Sequence, residues 1–136
     1  MDKILVLDPG NSTGWLFRNN EGEFTGGTIV ENHKEVANLI YKYKPDILIY
    51  ETFQLYPNKA QKMCWNSFYP VEVIGVIKYV AGLLNIKLIG LQPSVKKFSL
   101  AVDWSIIHSD EKITEHTKDT LRLYDYWHRN YEKLLD

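Results

Sequence analysis

The chain has 136 residues, 45% of them hydrophobic and 24% charged, which fits one soluble globular domain spanning residues 1–136 with a packed core. Seventeen acidic residues against sixteen basic ones leave a formal net charge of -1, so the whole surface does not attract polyanions and any nucleic-acid contact is confined to a local patch. The single cysteine, Cys64, excludes an internal disulfide framework and a clustered-cysteine zinc site and points to a reducing compartment, the cytoplasm by default; the opening "MDKILVLDPG" is too short in its apolar run for a secretory or membrane segment, so no membrane association is expected.

Residues 4–7 are uniformly apolar, the pattern of a strand buried on both faces, and they run directly into Asp8 and the turn-prone "PGNSTG". "GWLFRN" and "EFTGGTIV", separated by "NNEGE", continue as a hairpin and make a three-strand meander. "NHKEVANLIYKYK" sets Val36, Leu39, Ile40 and Tyr43 at helical spacing, with Asn32 as N-cap and Pro45 just beyond the end. "PDILIY" is a second buried strand, and it too ends on an acid, Glu51. From Pro70, Val73, Ile77, Val80 and Leu84 mark a long helix, in which Gly75 and Gly82 allow close approach of a neighbour. "IKLIGLQP" reads as a third buried strand. A final amphipathic helix is expected over residues 115–134, with Leu121, Tyr124, Trp127 and Tyr131 facing inward. Residues 98–113 show no periodicity and are left unassigned. A meander followed by alternating helices and strands gives an α/β fold with a mixed sheet flanked by helices.

Sites in such sheets collect at strand ends. If the first and fourth strands are parallel neighbours, Asp8 and Glu51 lie side by side, and two carboxylates that close repel unless a cation lies between them. "HTKD" adds His116 and Asp119, three residues apart on one helical face. Three acids and an imidazole form an oxygen-rich set suited to Mg²⁺ or Mn²⁺. Read singly, each residue has a plainer role open to it: Asp8 as a turn residue, Glu51 as a solvated strand end, Asp119 as a partner of Arg122, and His116 as a surface histidine.

"ILVLDPGNSTGW", "PDILIYETF", "VIGVIKYVAGLL", "IGLQPSVKK" and "HTKDTLRL" occur in the order found in RuvC-like Holliday junction resolvases, and the chain resembles the short phage-type members over roughly residues 3–130. The resemblance implies an RNase H-like fold, here a mixed five-stranded sheet, and a homodimeric endonuclease that cuts four-way or other branched DNA with two Mg²⁺ ions, Mn²⁺ substituting. It implies Asp8, Glu51, His116 and Asp119 as the catalytic and metal-binding set, with His116 either a ligand or a proton-transfer group. It also implies a cytoplasmic setting, bacterial or in a phage host. Thr120 stands where relatives carry alanine, and "FSLAVDWSIIHSDEK" replaces a glycine-rich segment with a second lysine.

Hydrolysis of a phosphodiester needs an activated water and a stabilised leaving oxygen, which a pair of divalent ions about 4 Å apart can supply. Because the acids repel DNA, lysines must draw it in, with a salt-dependent contribution. In "TFQLYPNKAQKMCWNSFYP", Phe53 and Tyr56 interleave with Lys59 and Lys62, a pattern that can hold an unstacked base beside a phosphate track. In the resemblance, an aromatic just after the strand acid stacks on a junction base, and Phe53 matches it in position. Lys96, Lys97, Lys118 and Arg122 are the other expected DNA contacts. Trp65, Phe68 and Tyr69 read as core or dimer packing, and Cys64 as a packed thiol. "DPGNSTG" also resembles the first phosphate loop of actin-like and sugar-kinase ATPases, whose nucleotide lies between two lobes each at least as large as this chain. A non-catalytic branched-DNA-binding relative is the third alternative.

Overall fold

In the computed structural model, which describes residues 1–53 and 69–133, the chain forms a six-stranded sheet with helices on both faces. The strands β1 (Ile4–Asp8), β2 (Ser12–Arg18) and β3 (Phe24–Val30) make the antiparallel meander. Helix α1 (His33–Tyr43) leads to β4 (Ile47–Glu51), which pairs with β1 in parallel. Helix α2 (Tyr69–Leu83) leads to β5 (Lys87–Leu91), parallel to β4. A 3₁₀ segment (Pro93–Ser99), a 3₁₀ turn (Trp104–Ile106) and the short β6 (Ile107–His108) precede α3 (Glu115–Trp127). The sheet order is β5-β4-β1-β2-β3-β6.

Alternation along β1 and β4 divides the core. Ile4, Val6, Ile47 and Ile49 pack against Leu121, Leu123, Tyr124 and Trp127 on the α3 side. Leu5, Leu7, Leu48 and Tyr50 pack against Val36, Ile40, Val73 and Ile77 on the α1/α2 side. Both strands are therefore buried at every position before the closing acid, as a sheet covered on two faces requires. The start of α1 is capped by Asn32, whose side chain accepts from the Glu35 amide at 3.0 Å, and its end by Lys44 in the left-handed region, just before Pro45.

Three expectations need correction. The sheet has six strands rather than five, because two residues of the unassigned stretch pair with the outer edge of β3; an element so short leaves no periodicity. The expected buried strand β5 lies at the sheet edge, with Lys87 and Gly90 exposed. The last helix is α-helical only to Trp127 and passes into a π turn (His128–Glu132), which shifts the angular phase and leaves Tyr131 51% exposed while Leu121, Tyr124 and Trp127 are buried; residue 134 lies outside the described residues. A β-carbon on Gly75 or Gly82 would meet no atom of the described residues within 4 Å. Among the described residues, no helix is long and apolar enough to cross a membrane.

Candidate active site

Because Leu7 pairs with Tyr50, Asp8 and Glu51 stand one step further along as neighbours at the carboxyl ends of two parallel strands. Both continue the rows that face α3: Ile4, Val6, Asp8 on one strand and Ile47, Ile49, Glu51 on the other. The acids thus emerge on the face where α3 brings Asp119.

Glycines set the depth at which α3 docks. Gly14 is directly opposite Asp8, and a β-carbon there would run into the backbone carbonyl of His116. A β-carbon on Gly26 would meet the Thr117 methyl at 2.9 Å. The helix start is then pinned by Thr117 Oγ1 donating to the Gly27 carbonyl at 2.6 Å and by Thr28 and Thr114 sharing a 2.7 Å hydrogen bond. Glycines inside a strand pattern are a readable sign of close backbone approach.

Lys96, from the 3₁₀ segment after β5, reaches into the cluster. Its Nζ donates to Glu51 at 3.1 Å and to Asp119 at 3.3 Å. Arg122 closes the other side, donating to Asp119 Oδ1 at 2.6 Å. Burial, then the hydrogen bond and charge of Glu51, push the Asp8 carboxyl up to about 9, with Asp119 adding to the effect and Lys96 opposing it. Burial pulls the Lys96 ammonium down, but Glu51, Asp8 and Asp119 outweigh it and hold its pKa above the ordinary lysine value.

The expected four-residue set is therefore assembled in part. Asp8, Glu51 and Asp119 come together, whereas the His116 side chain is exposed, with its backbone resting on Gly14 one strand away from Asp8. Among the described residues, no three histidine, cysteine or acidic side chains are arranged to enclose an ion. The donor chemistry nevertheless fits a hard divalent cation: the converging groups are carboxylates, and a dication would favour the ionised Asp8 that burial, and then Glu51, disfavour.

A cleft of about 310 Å³ opens beside the acids, lined by Asp8, Glu51, Phe53, Pro70, Ile74 and Gln92 among others. Phe53 thus shares a surface with two of the carboxylates. Of the other expected DNA contacts, Lys97 is exposed with its ammonium over the Phe98 ring. Lys118 bonds Glu115 at 3.2 Å, and Arg122 is engaged by Asp119 and Glu115. Tyr56, Lys59, Lys62, Cys64, Trp65 and Phe68 lie outside the described residues. Tyr69 packs against His33 with ring centroids 4.4 Å apart, in keeping with its packing role. Trp104 escaped the sequence reading; it is 46% exposed, with the Lys118 ammonium 4.6 Å from its ring centroid. Its only sequence signal was a tryptophan in a stretch without apolar periodicity.

No family model matches the chain, and no curated protein sequence matches it. Solved structures do. RuvC of Thermus thermophilus in complex with a Holliday junction substrate is 14% identical, with a TM-score of 0.66 over 93% of this chain and 94% of that one. The yeast mitochondrial Holliday junction resolvase Ydc2 is 13% identical, with a TM-score of 0.51 over 93% of this chain and 77% of that one. YeaZ from Pseudomonas aeruginosa is 16% identical, with a TM-score of 0.50 over 74% of this chain and 48% of that one. The chain has the α/β, RNase H-like fold expected for it, and at these identities the likeness establishes the fold alone.

Proposed function

We propose that this protein is a metal-dependent endonuclease that cleaves Holliday junctions and other branched DNA by phosphodiester hydrolysis. The observation that carries this reading is the convergence of Asp8, Glu51 and Asp119 on one face of the sheet, from three separate elements, at the carboxyl ends of β1 and β4. Its support in the comparisons is that the fold is shared over nearly the whole chain with a RuvC solved on a Holliday junction. Asp8, Glu51 and Asp119 would hold Mg²⁺ or Mn²⁺, two ions in all, with His116 as a fourth ligand or a proton carrier. Bound there, the metal supplies a nucleophilic water at neutral pH and stabilises the leaving oxygen. The chain's own work is to place the three carboxylates, to screen their repulsion of phosphate with Lys96, Lys97, Lys118 and Arg122, and to hold an unpaired base near the cleft with Phe53.

The direct test is a panel of labelled four-way junctions, forks, flaps and linear duplexes incubated with Mg²⁺ or Mn²⁺. Junctions and forks should be cut and linear duplex spared; a panel left wholly intact would refute the enzyme. Phe53→Ala should lose about 1 to 3 kcal/mol of base stacking, seen as weaker junction binding and slower cleavage at unchanged melting temperature. Unfolding with unaltered activity per folded molecule would make Phe53 a core residue instead.

The enzyme is further proposed to act as a two-fold homodimer, since paired cuts across a junction need two sites and one chain carries one. The outer face of α2 supports this: Val71, Tyr79 and Leu83 are exposed at intervals of one helical turn or two, beside the open Gly75 and Gly82. Light scattering should return twice the chain mass at micromolar concentration, and Tyr79→Glu should halve it. A monomer both alone and on junction DNA would refute the dimer.

A further inference from the structure

We propose that Lys96 is a resident counter-ion that closes the carboxylate cluster in the resting protein and leaves it for a DNA phosphate when metal enters. The inference rests on the nuclease reading of this site and concerns how the site is loaded.

The Lys96 ammonium is within 3.1 Å of Glu51 and 3.3 Å of Asp119, so it bridges acids contributed by β4 and α3. That is the space a dication shared by those two acids would take. The ammonium and the metal therefore compete for the same oxygens, and both cannot hold them at these distances. Lys96 sits on a 3₁₀ segment at the rim of the site rather than in the sheet, and it is not sealed in, with about a fifth of its side-chain surface exposed. A four-carbon stem on such a segment can carry the charge outward without moving a strand. Once expelled, the ammonium is free beside a cluster that DNA must approach, and a phosphate is the anion then available to it. Metal binding and DNA binding are thereby coupled: each releases what the other needs, and the coupling must be equal in both directions.

The test reads metal affinity rather than cleavage. Mn²⁺ is titrated into the full-length parent, Lys96→Met, Lys96→Gln and Lys96→Arg, without DNA. Lys96→Met and Lys96→Gln should bind Mn²⁺ about tenfold or more tightly than the parent, because a competing positive charge is gone, while Lys96→Arg should stay near the parent. In EDTA the two neutral variants should melt lower than the parent, and saturating Mn²⁺ should erase the deficit. With Ca²⁺ in place of Mn²⁺, the gain in four-way junction affinity on adding metal should be smaller in Lys96→Met than in the parent. Unchanged or weaker Mn²⁺ affinity in both neutral variants, or a melting deficit that Mn²⁺ does not erase, would overturn the inference. Mn²⁺ binding by the parent that Asp8→Asn and Glu51→Gln leave unaltered would instead overturn the site reading beneath it.

Discussion

Asp8→Asn should abolish junction cleavage, with a rate loss of about a thousandfold or more, equivalent to about 4 kcal/mol in the barrier. The amide keeps the shape of the carboxyl but cannot offer a charged oxygen to a hard cation. Glu51→Gln and Asp119→Asn should behave alike, since the three acids act on one centre. Binding to junction DNA should survive or tighten, because none of the three changes adds negative charge facing phosphate and all leave the basic residues in place. His116→Asp, compared under the same conditions, should retain part of the activity if the imidazole is a ligand and fail more fully if it moves a proton.

The same substitution has a signature in stability. In the metal-free protein the Asp8 carboxyl titrates near 9 against an ordinary value of 3.8, first because it is buried and then because of Glu51. Between those two values the folded chain keeps a proton that the unfolded chain has lost. Metal-free stability should therefore fall as pH rises through that window. Asp8→Asn removes this dependence, so in EDTA at pH 8 the variant should melt several degrees above the parent, with the difference vanishing below pH 4. Asp8→Asn that cuts junctions as fast as the parent would leave Asp8 a turn residue and the nuclease reading refuted.

Glu132→Ala should bring the largest loss of stability, about 3 kcal/mol, although it lies far along the chain from the acids. Arg18, on β2, is only 2% exposed and donates to both oxygens of Glu132, at 2.7 and 2.8 Å, as well as to Tyr124 and the Asp2 carbonyl. Removing the carboxylate strands a buried guanidinium that has no second acidic partner among the described residues. The Arg18 hydrogen bond holds the Glu132 carboxyl below its ordinary 4.5, against its own partial burial and with help from His128. The stabilisation from this pair is thus complete above pH 4.5 and is lost as pH falls below it. Urea denaturation at pH 7 should show the deficit, and acidification should narrow the gap between variant and parent. Arg18→Leu combined with Glu132→Leu should recover much of the loss, since an apolar pair leaves no buried charge unanswered.

What could be read from the sequence were features encoded by neighbours in the chain. The uninterrupted apolar runs before Asp8 and Glu51 define strands covered on both faces, and they end on acids at positions no tertiary contact is needed to see. The 3.6-residue spacing of Val36, Ile40, Val73 and Ile77, the cap at Asn32 and the stop before Pro45 are likewise local signals, because helix periodicity and capping depend on residues three or four apart. Parallel pairing of β1 with β4, a condition the sequence leaves open and the fold meets, then suffices to put Asp8 beside Glu51.

Tertiary structure alone decided the rest, because the interactions involved join positions distant in the chain and carry no period. Two-residue β6 exists only because β3 offers an open edge. Tyr131 leaves the core because a π turn, not the sequence spacing, sets its direction. A buried arginine on β2 reads as a surface residue until Glu132, 114 positions later, is folded onto it. The sequence named Lys96 as one basic residue among several near the acids. Only the packing of the 3₁₀ segment against α3 sets its ammonium between Glu51 and Asp119, because a charge settles where carboxylates from different elements converge, and that point exists only once the sheet and helix have met.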